Sequence, residues 1–214
     1  MTEPEFLRTT RAAFDAVAAD YAATFSGELA GRPLDRALLG AFAELARARG
    51  PIADLGCGPG HVTAHLTGLG ADAFGVDLSP GMVEVARQAY PGVRYEIGSM
   101  TGLDLPDDGL GGVLAWYSIV NLAAEQLPAV FAEFRRVLAP GGWLLLAFQT
   151  GDGSRHATEW FGHPVSLDLY RRPAELVAGL LGQAGFVVSA QLVREPEVGS
   201  REKGPRAHLL ARVA

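Results

Sequence analysis

From residue 51 to 61 the chain reads "PIADLGCGPGH", a short apolar strand pattern that breaks into three glycines at alternate positions. Glycine takes up left-handed backbone without steric cost and lets other groups approach the main chain closely. The stretch therefore marks a sharp turn from a strand into a helix. The flanking chain keeps the same rhythm. Strand patterns "ADAFGVD" (71–77), "VRYEI" (93–97), "GVLAWY" (112–117) and "WLLLAF" (143–148) are separated by helical ones. Val62, Leu66 and Leu69 recur at helical spacing, Ser79 and Pro80 form an N-cap and first helical residue, and "PAVFAEFRRVL" and "PAELVAGLLGQAG" continue as helices. Ahead of the glycine turn, Phe14, Val17, Tyr21 and Phe25 share one helical face within 11–25, and a second helix is predicted over Pro33–Ala48.

Strand–helix alternation of this kind builds a parallel sheet covered on both faces. The last two strand patterns, "FVVSAQLV" and "AHLLARV", have no helix between them and are predicted to pair as an antiparallel hairpin at one edge. The expected fold is α/β: a Rossmann-like doubly wound sheet of seven strands, one antiparallel in the edge region, with helices on both faces and an N-terminal helical cap.

Composition removes several classes. With 214 residues, 49% hydrophobic and 20% charged, the chain suits one globular α/β domain. A net charge of −6 argues against a nucleic-acid surface, which needs a concentrated basic patch. The small basic group Arg201, Lys203 and Arg206 contains Glu202 and reads as a solvated loop. One cysteine, Cys57, excludes an internal disulfide and suits a reducing cytoplasm. The acidic start "MTEPEF" lacks the form of a signal peptide, and no apolar run is long enough to span a membrane. Scattered histidines beside a single cysteine offer no metal-ligand spacing.

The ligand of the glycine turn can be argued from charge. A dinucleotide site asks for G-x-G-x-x-G, and here His61 stands where the third glycine belongs. Asp54 lies beside the turn, where it would repel a pyrophosphate and attract an ammonium group. S-adenosylmethionine carries an ammonium, a sulfonium and a carboxylate, and the carboxylate suits amides at a helix N-terminus. Asp77, at the end of the second strand, is placed to accept hydrogen bonds from a ribose diol. A glycine turn can also arise simply because a strand must bend into a helix.

The pieces "DLGCGPG", "GVDLSPGMVEVAR", "GSMTGLDLPDDGLGGVLAWYSIVNL" and "FRRVLAPGGWLLLAF" occur in an order and spacing that resembles the class I S-adenosylmethionine-dependent methyltransferases. The later stretch "HPVSLDLYRRPAELVAGLLGQAGF" is similar to the small-molecule branch of that family. The resemblance implies a single methyltransferase domain over 1–214. Within it, 1–50 is the helical cap, 51–149 the cofactor-binding core, 150–172 an acceptor-side segment and 173–214 the last helix and hairpin. It implies S-adenosylmethionine as cofactor, S-adenosylhomocysteine as product, and a small-molecule methyl acceptor with no nucleic-acid or membrane partner. A non-catalytic sensor or scaffold binding the same ligands stays open beside it.

On that resemblance Gly56, Cys57 and Gly58 meet the methionyl part through their backbone, and Leu78 and Met82 pack on ribose and adenine. Ser99 and Met100 stand where many relatives hold the adenine amino group with an acid. Trp116 ends the fourth strand beside the methyl-transfer position, and Tyr21 and Arg32 lie in the cap, where Arg32 is either a partner of the cofactor carboxylate or an exposed surface arginine. The acceptor is expected against Tyr117, Asn121, His156, Trp160 and Tyr170, with Phe161 nearby. His163 is the candidate proton acceptor, because an unperturbed imidazole titrates near working pH.

Overall fold

The computed structural model describes residues 3–197, 199 and 201–214. Five parallel strands run through the core: β1 (Ile52–Leu55), β2 (Ala73–Asp77), β3 (Arg94–Ile97), β4 (Leu110–Trp116) and β5 (Leu138–Gln149). The helices are α1 (Glu5–Phe25), α2 (Pro33–Arg47), α3 (His61–Gly68), α4 (Pro80–Ala89), α5 (Leu127–Val137) and α6 (Ala174–Gln183). After a hairpin of β6 (Ser154–Trp160) and β7 (His163–Tyr170), the chain ends in β8 (Phe186–Arg194) and β9 (Arg206–Val213).

The main sheet has the order β3-β2-β1-β4-β5-β9-β8, and β9 is antiparallel to both its neighbours. The expected seven-stranded sheet with one antiparallel strand is therefore present, with β8 rather than β9 at the edge. Strand order reverses between β1 and β4, which opens a crevice at their carboxyl ends.

Alternation along each strand divides the core into two layers. Ala53, Leu55, Val113, Ala115, Leu144 and Leu146 face α5 and α6, while Ile52, Leu114 and Leu145 face α2 and α3. Proline at the first helical position and Ser79 as N-cap start α4 as its sequence predicts; the Ser79 hydroxyl accepts from Met82 N–H at 3.0 Å.

Two features depart from the expectation. Helix α1 begins at Glu5 rather than near residue 11. The acceptor-side segment forms a two-stranded sheet of its own, separate from the seven-stranded one. Its Ala157, Val165 and Leu167 pack on Ala13, Phe14 and Val17 of α1, and Val17 and Ala18 of the same helix pack on Met82 of α4. Helix α1 thus bridges α4 and the hairpin across the carboxyl edge of the sheet.

Candidate active site

The glycine turn joins β1 to α3, and Gly56, Gly58 and Gly60 all have left-handed backbone, with φ of +75°, +53° and +82°. Their roles differ. A Cβ on Gly56 would run into Cβ of Ser118, and one on Gly60 would lie 2.5 Å from Oη of Tyr95. A Cβ on Gly58 would meet only Cε1 of Tyr21, at 4.0 Å. Packing requires the outer two, whereas the middle one faces open space. The turn is fastened from below, since Gly56 N–H donates to the Val76 carbonyl at 2.7 Å and Tyr95 Oη donates to the Gly60 carbonyl at 3.0 Å.

Two carboxylates flank it. Asp54 is 1% exposed. Thr63 Oγ1 donates to its Oδ2 at 2.7 Å, while Oδ1 is buried without a hydrogen-bond partner among the described residues. Burial pushes the Asp54 carboxyl up to about 7, against the Thr63 hydrogen bond and with help from the Asp77 charge. Asp77 accepts from Gly58 N–H through Oδ2 and from Ser79 N–H through Oδ1, each at 2.8 Å. Burial raises it to about 6, while those backbone hydrogen bonds oppose the rise. Asp77 therefore ties the glycine turn to the start of α4, and its remaining lone pairs look into the crevice.

Two adjoining cavities open here. The larger, of about 800 Å³, runs from Asp54, Arg32 and Cys57 to Trp116 and Trp160 and on to a charged rim. The smaller, of about 100 Å³, is lined by Asp77, Leu78, Met82, Ser99 and Met100. Phe14, Tyr21, Gly56, Gly58, Trp116, Tyr117 and Asn121 line both. Each residue assigned to the cofactor from the sequence lines one cavity or the other. Cys57 is buried with its thiol pushed well up by burial, so it packs rather than attacks. Arg32 is a buried residue, 8% exposed, and its guanidinium is already engaged: Nη1 donates to Glu202 at 3.0 Å and lies 3.1 Å from Glu197.

The acceptor residues divide. Tyr117, Asn121 and Trp160 line the large cavity. His156, Tyr170 and His163 line neither, nor does Phe161. His156 pairs across the hairpin with Asp168 at 2.8 Å, on the strand face opposite the one that meets α1. Tyr170 lies under the Arg172 guanidinium. His163 shares its strand face with Val165 and Leu167, which pack on α1, so its ring meets Asp20 of that helix at 2.9 Å. The structure does not place His163 as a proton acceptor in the cavity.

Sequence reasoning missed other residues. Asp15 of α1 accepts from Ser79 Oγ at 2.5 Å and from Gly81 N–H at 2.8 Å, capping α4 from another helix. His61 lines the large cavity, with burial lowering it to about 4. Tyr117, already assigned to the acceptor, adds features its sequence did not announce: φ of +57° and a buried hydroxyl without a partner among the described residues. The basic group read as a solvated loop borders the large cavity at Arg201, Lys203 and Arg206.

Residues 52–142 match a family model described as a methyltransferase domain. The chain is 33% identical over 118 residues to a malonyl-[acyl-carrier protein] O-methyltransferase of Serratia marcescens, covering 49% of this chain and 46% of that protein. It is also 33% identical over 121 residues to an N-demethylindolmycin N-methyltransferase of Streptomyces griseus, covering 53% and 51%. The chain thus spans about half the length of these relatives. The fold superimposes on the DhpI–SAH complex with a TM-score of 0.73 at 22% identity, over 100% of this chain and 99% of that one. Residues 52–142, which carry the glycine turn and strands β1–β4, are thus similar in sequence to a methyltransferase domain, on a fold similar to that of the DhpI–SAH complex.

Proposed function

We propose that this protein transfers a methyl group from S-adenosylmethionine to a small molecule. The observation that carries the reading is Oδ1 of Asp54, a buried carboxylate oxygen without a donor among the described residues, at the end of β1. A buried acceptor left unmatched is costly, and a ligand ammonium group is the donor that suits it. Bound there, the cofactor supplies an activated methyl group whose carbon passes to an acceptor O, N, C or S atom while sulfur keeps the bonding electrons.

The chain's own contribution is to position and to exclude water. Asp77 has lone pairs left for ribose hydroxyls, and the amides at the start of α3 suit the ligand carboxylate. Tyr21, Trp116 and Trp160 wall the crevice, with Tyr21 and Trp160 5.5 Å apart in an edge-to-face pair. Holding two reactants in line is worth roughly 7–11 kcal/mol in favourable cases, whereas a general base adds about 10²–10⁴-fold. The acceptor lies over Trp116, between α1 and the β6–β7 hairpin. Room for it beyond the glycine turn favours an enzyme over a non-catalytic binder of the same cofactor. One buried cysteine and no long apolar helix among the described residues accord with a cytoplasmic place of action.

Calorimetry with S-adenosylmethionine, S-adenosylhomocysteine and NAD tests the ligand. Binding of both adenosyl sulfur compounds without NAD is expected; NAD binding alone overturns the reading. A labelled-methyl screen against a metabolite library then seeks the acceptor.

A further inference from the structure

The large cavity has two chemically different ends. Its inner wall is aromatic, formed by Tyr21, Trp116, Tyr117 and Trp160. Its rim is cationic and comes from two segments far apart in sequence. The base of the β6–β7 hairpin supplies Arg155 and Arg171, and the β8–β9 loop supplies Arg201 and Lys203. The two segments touch: Arg171 Nη2 donates to the Lys203 carbonyl at 3.1 Å, and its guanidinium crosses the backbone at Gly204.

Charge pairing separates these four residues from the other charges of the cavity. Arg32 and Arg206 are held by Glu202, and Asp35 lies 3.8 Å from Arg194. Asp54 belongs to the glycine-turn end. Among the described residues, none of Arg155, Arg171, Arg201 and Lys203 has a carboxylate within ion-pair distance; of the cavity's acids, Glu28, Asp35 and Glu202 are engaged by Arg32 and Arg194, which leaves Asp152 and Glu159 beside Asp54. The whole chain has 24 acidic side chains against 18 basic ones, so this local surplus of cations runs against its composition. Unpaired arginines converging on a concave site present forked donors that match carboxylate and phosphate oxygens.

We propose that the methyl acceptor carries an anionic group, a carboxylate or a phosphate, bound at this rim by Arg155, Arg171, Arg201 and Lys203, with its apolar body along the aromatic wall and its methyl-accepting atom toward Trp116. The proposal rests on the methyltransferase reading and deepens it. The anchored charge sets the depth to which the acceptor enters, so it selects the atom presented at the transfer position. Neutral compounds of the same shape lack that anchor. The field of the rim also draws anions toward the cavity, an attraction that weakens with salt.

The test uses the full chain saturated with S-adenosylhomocysteine and three probes built on one ring: benzoate, phenyl phosphate and benzyl alcohol. At least one anion is expected to bind about tenfold or more tightly than the alcohol, in line with hydrogen bonds to charged groups, and to weaken with ionic strength. Which anion binds better identifies the group. The double variants Arg155→Gln/Arg171→Gln and Arg201→Gln/Lys203→Gln should each weaken that anion about tenfold and leave S-adenosylhomocysteine affinity unchanged. If loss of the Arg171–Lys203 tie unfolds the first variant, the second carries the test, because its side chains hold no internal partner among the described residues. Equal binding of benzyl alcohol, no binding of either anion, or undiminished anion affinity in the variants overturns the proposal. Failure of the wild-type protein to bind S-adenosylhomocysteine overturns the methyltransferase reading instead.

Discussion

Asp54 shows how much one side chain can carry. In the free protein it holds its proton up to about pH 7, whereas in the unfolded chain it releases it near 3.8. The folded state therefore binds one proton more between those values, and the stability this group provides is lost as pH rises from about 4 through 7. A ligand ammonium favours the ionised form, so S-adenosylhomocysteine affinity should climb as pH rises toward 7 and then level. Asp54→Asn should weaken that binding by roughly 10–100-fold, remove the part of the climb near pH 7, and leave stability at pH 8 no lower; calorimetry across pH and thermal melts check all three. The glycines give a second contrast at this scale. Gly60→Ala adds a clash with Tyr95 to an unfavourable left-handed residue, so it should cost roughly 1–3 kcal/mol of stability in chemical unfolding. Gly58→Ala has space for its methyl group and should lose about 1–2 kcal/mol through backbone conformation alone, while weakening cofactor binding more than stability.

At the scale of elements, helix α1 is what turns an open sheet edge into a crevice. Asp15 caps α4, Arg11 Nε donates to the Leu78 carbonyl at 3.2 Å, and the Phe14 and Trp160 rings stand 5.7 Å apart. The first two contacts hold the helix to the nucleotide side, and the third holds the hairpin to the helix. Trp160→Ala should release the hairpin without touching the main sheet. Hydrogen exchange should then rise over 154–170 and stay unchanged in β1, β4 and β5. Uniform loss of protection across the sheet would show that the hairpin is part of the global core.

The whole molecule is closed by a charge network on the β8–β9 side. Glu202 receives both Arg194 guanidinium nitrogens at 2.7 Å and Arg32 at 3.0 Å, tying the loop to the start of α2. Burial alone would raise the Glu202 carboxyl, but hydrogen bonds from Arg194 and the Glu197 amide, with the charges of Arg194 and Arg32, hold it at about 2. The stabilisation is present above its unfolded value of 4.5 and is lost as pH falls from there through about 2. Glu202→Gln should therefore cost on the order of 3 kcal/mol near pH 7, and wild-type and variant stabilities should converge toward pH 2. Urea unfolding at several pH values checks it. A constant difference down to pH 2 would mean that packing, not charge, is what the substitution removes.

What the sequence determined by itself was local. The strand–helix alternation, the glycine turn, the Ser79–Pro80 helix start and the two aspartates at strand ends depend on residues close in the chain, and they sufficed for the sheet and for one side of the crevice. The hairpin at 154–170 was hidden because its aromatic residues satisfied a loop reading equally well; only docking on α1 decided which of them face the cavity. His163 was placed by strand parity, which turns it toward Asp20 and away from the cavities. Asp15 lies 64 residues from the Ser79 it caps, beyond any local pattern. The basic loop lies beside the cavity for a topological reason. Strand β8 runs parallel to β5 because β9 opposes both, so the loop after β8 returns to the carboxyl edge of the sheet, where ligands bind. Its charges acquire a partner surface only when β9 is inserted between β5 and β8, an event set by pairing across the whole sheet.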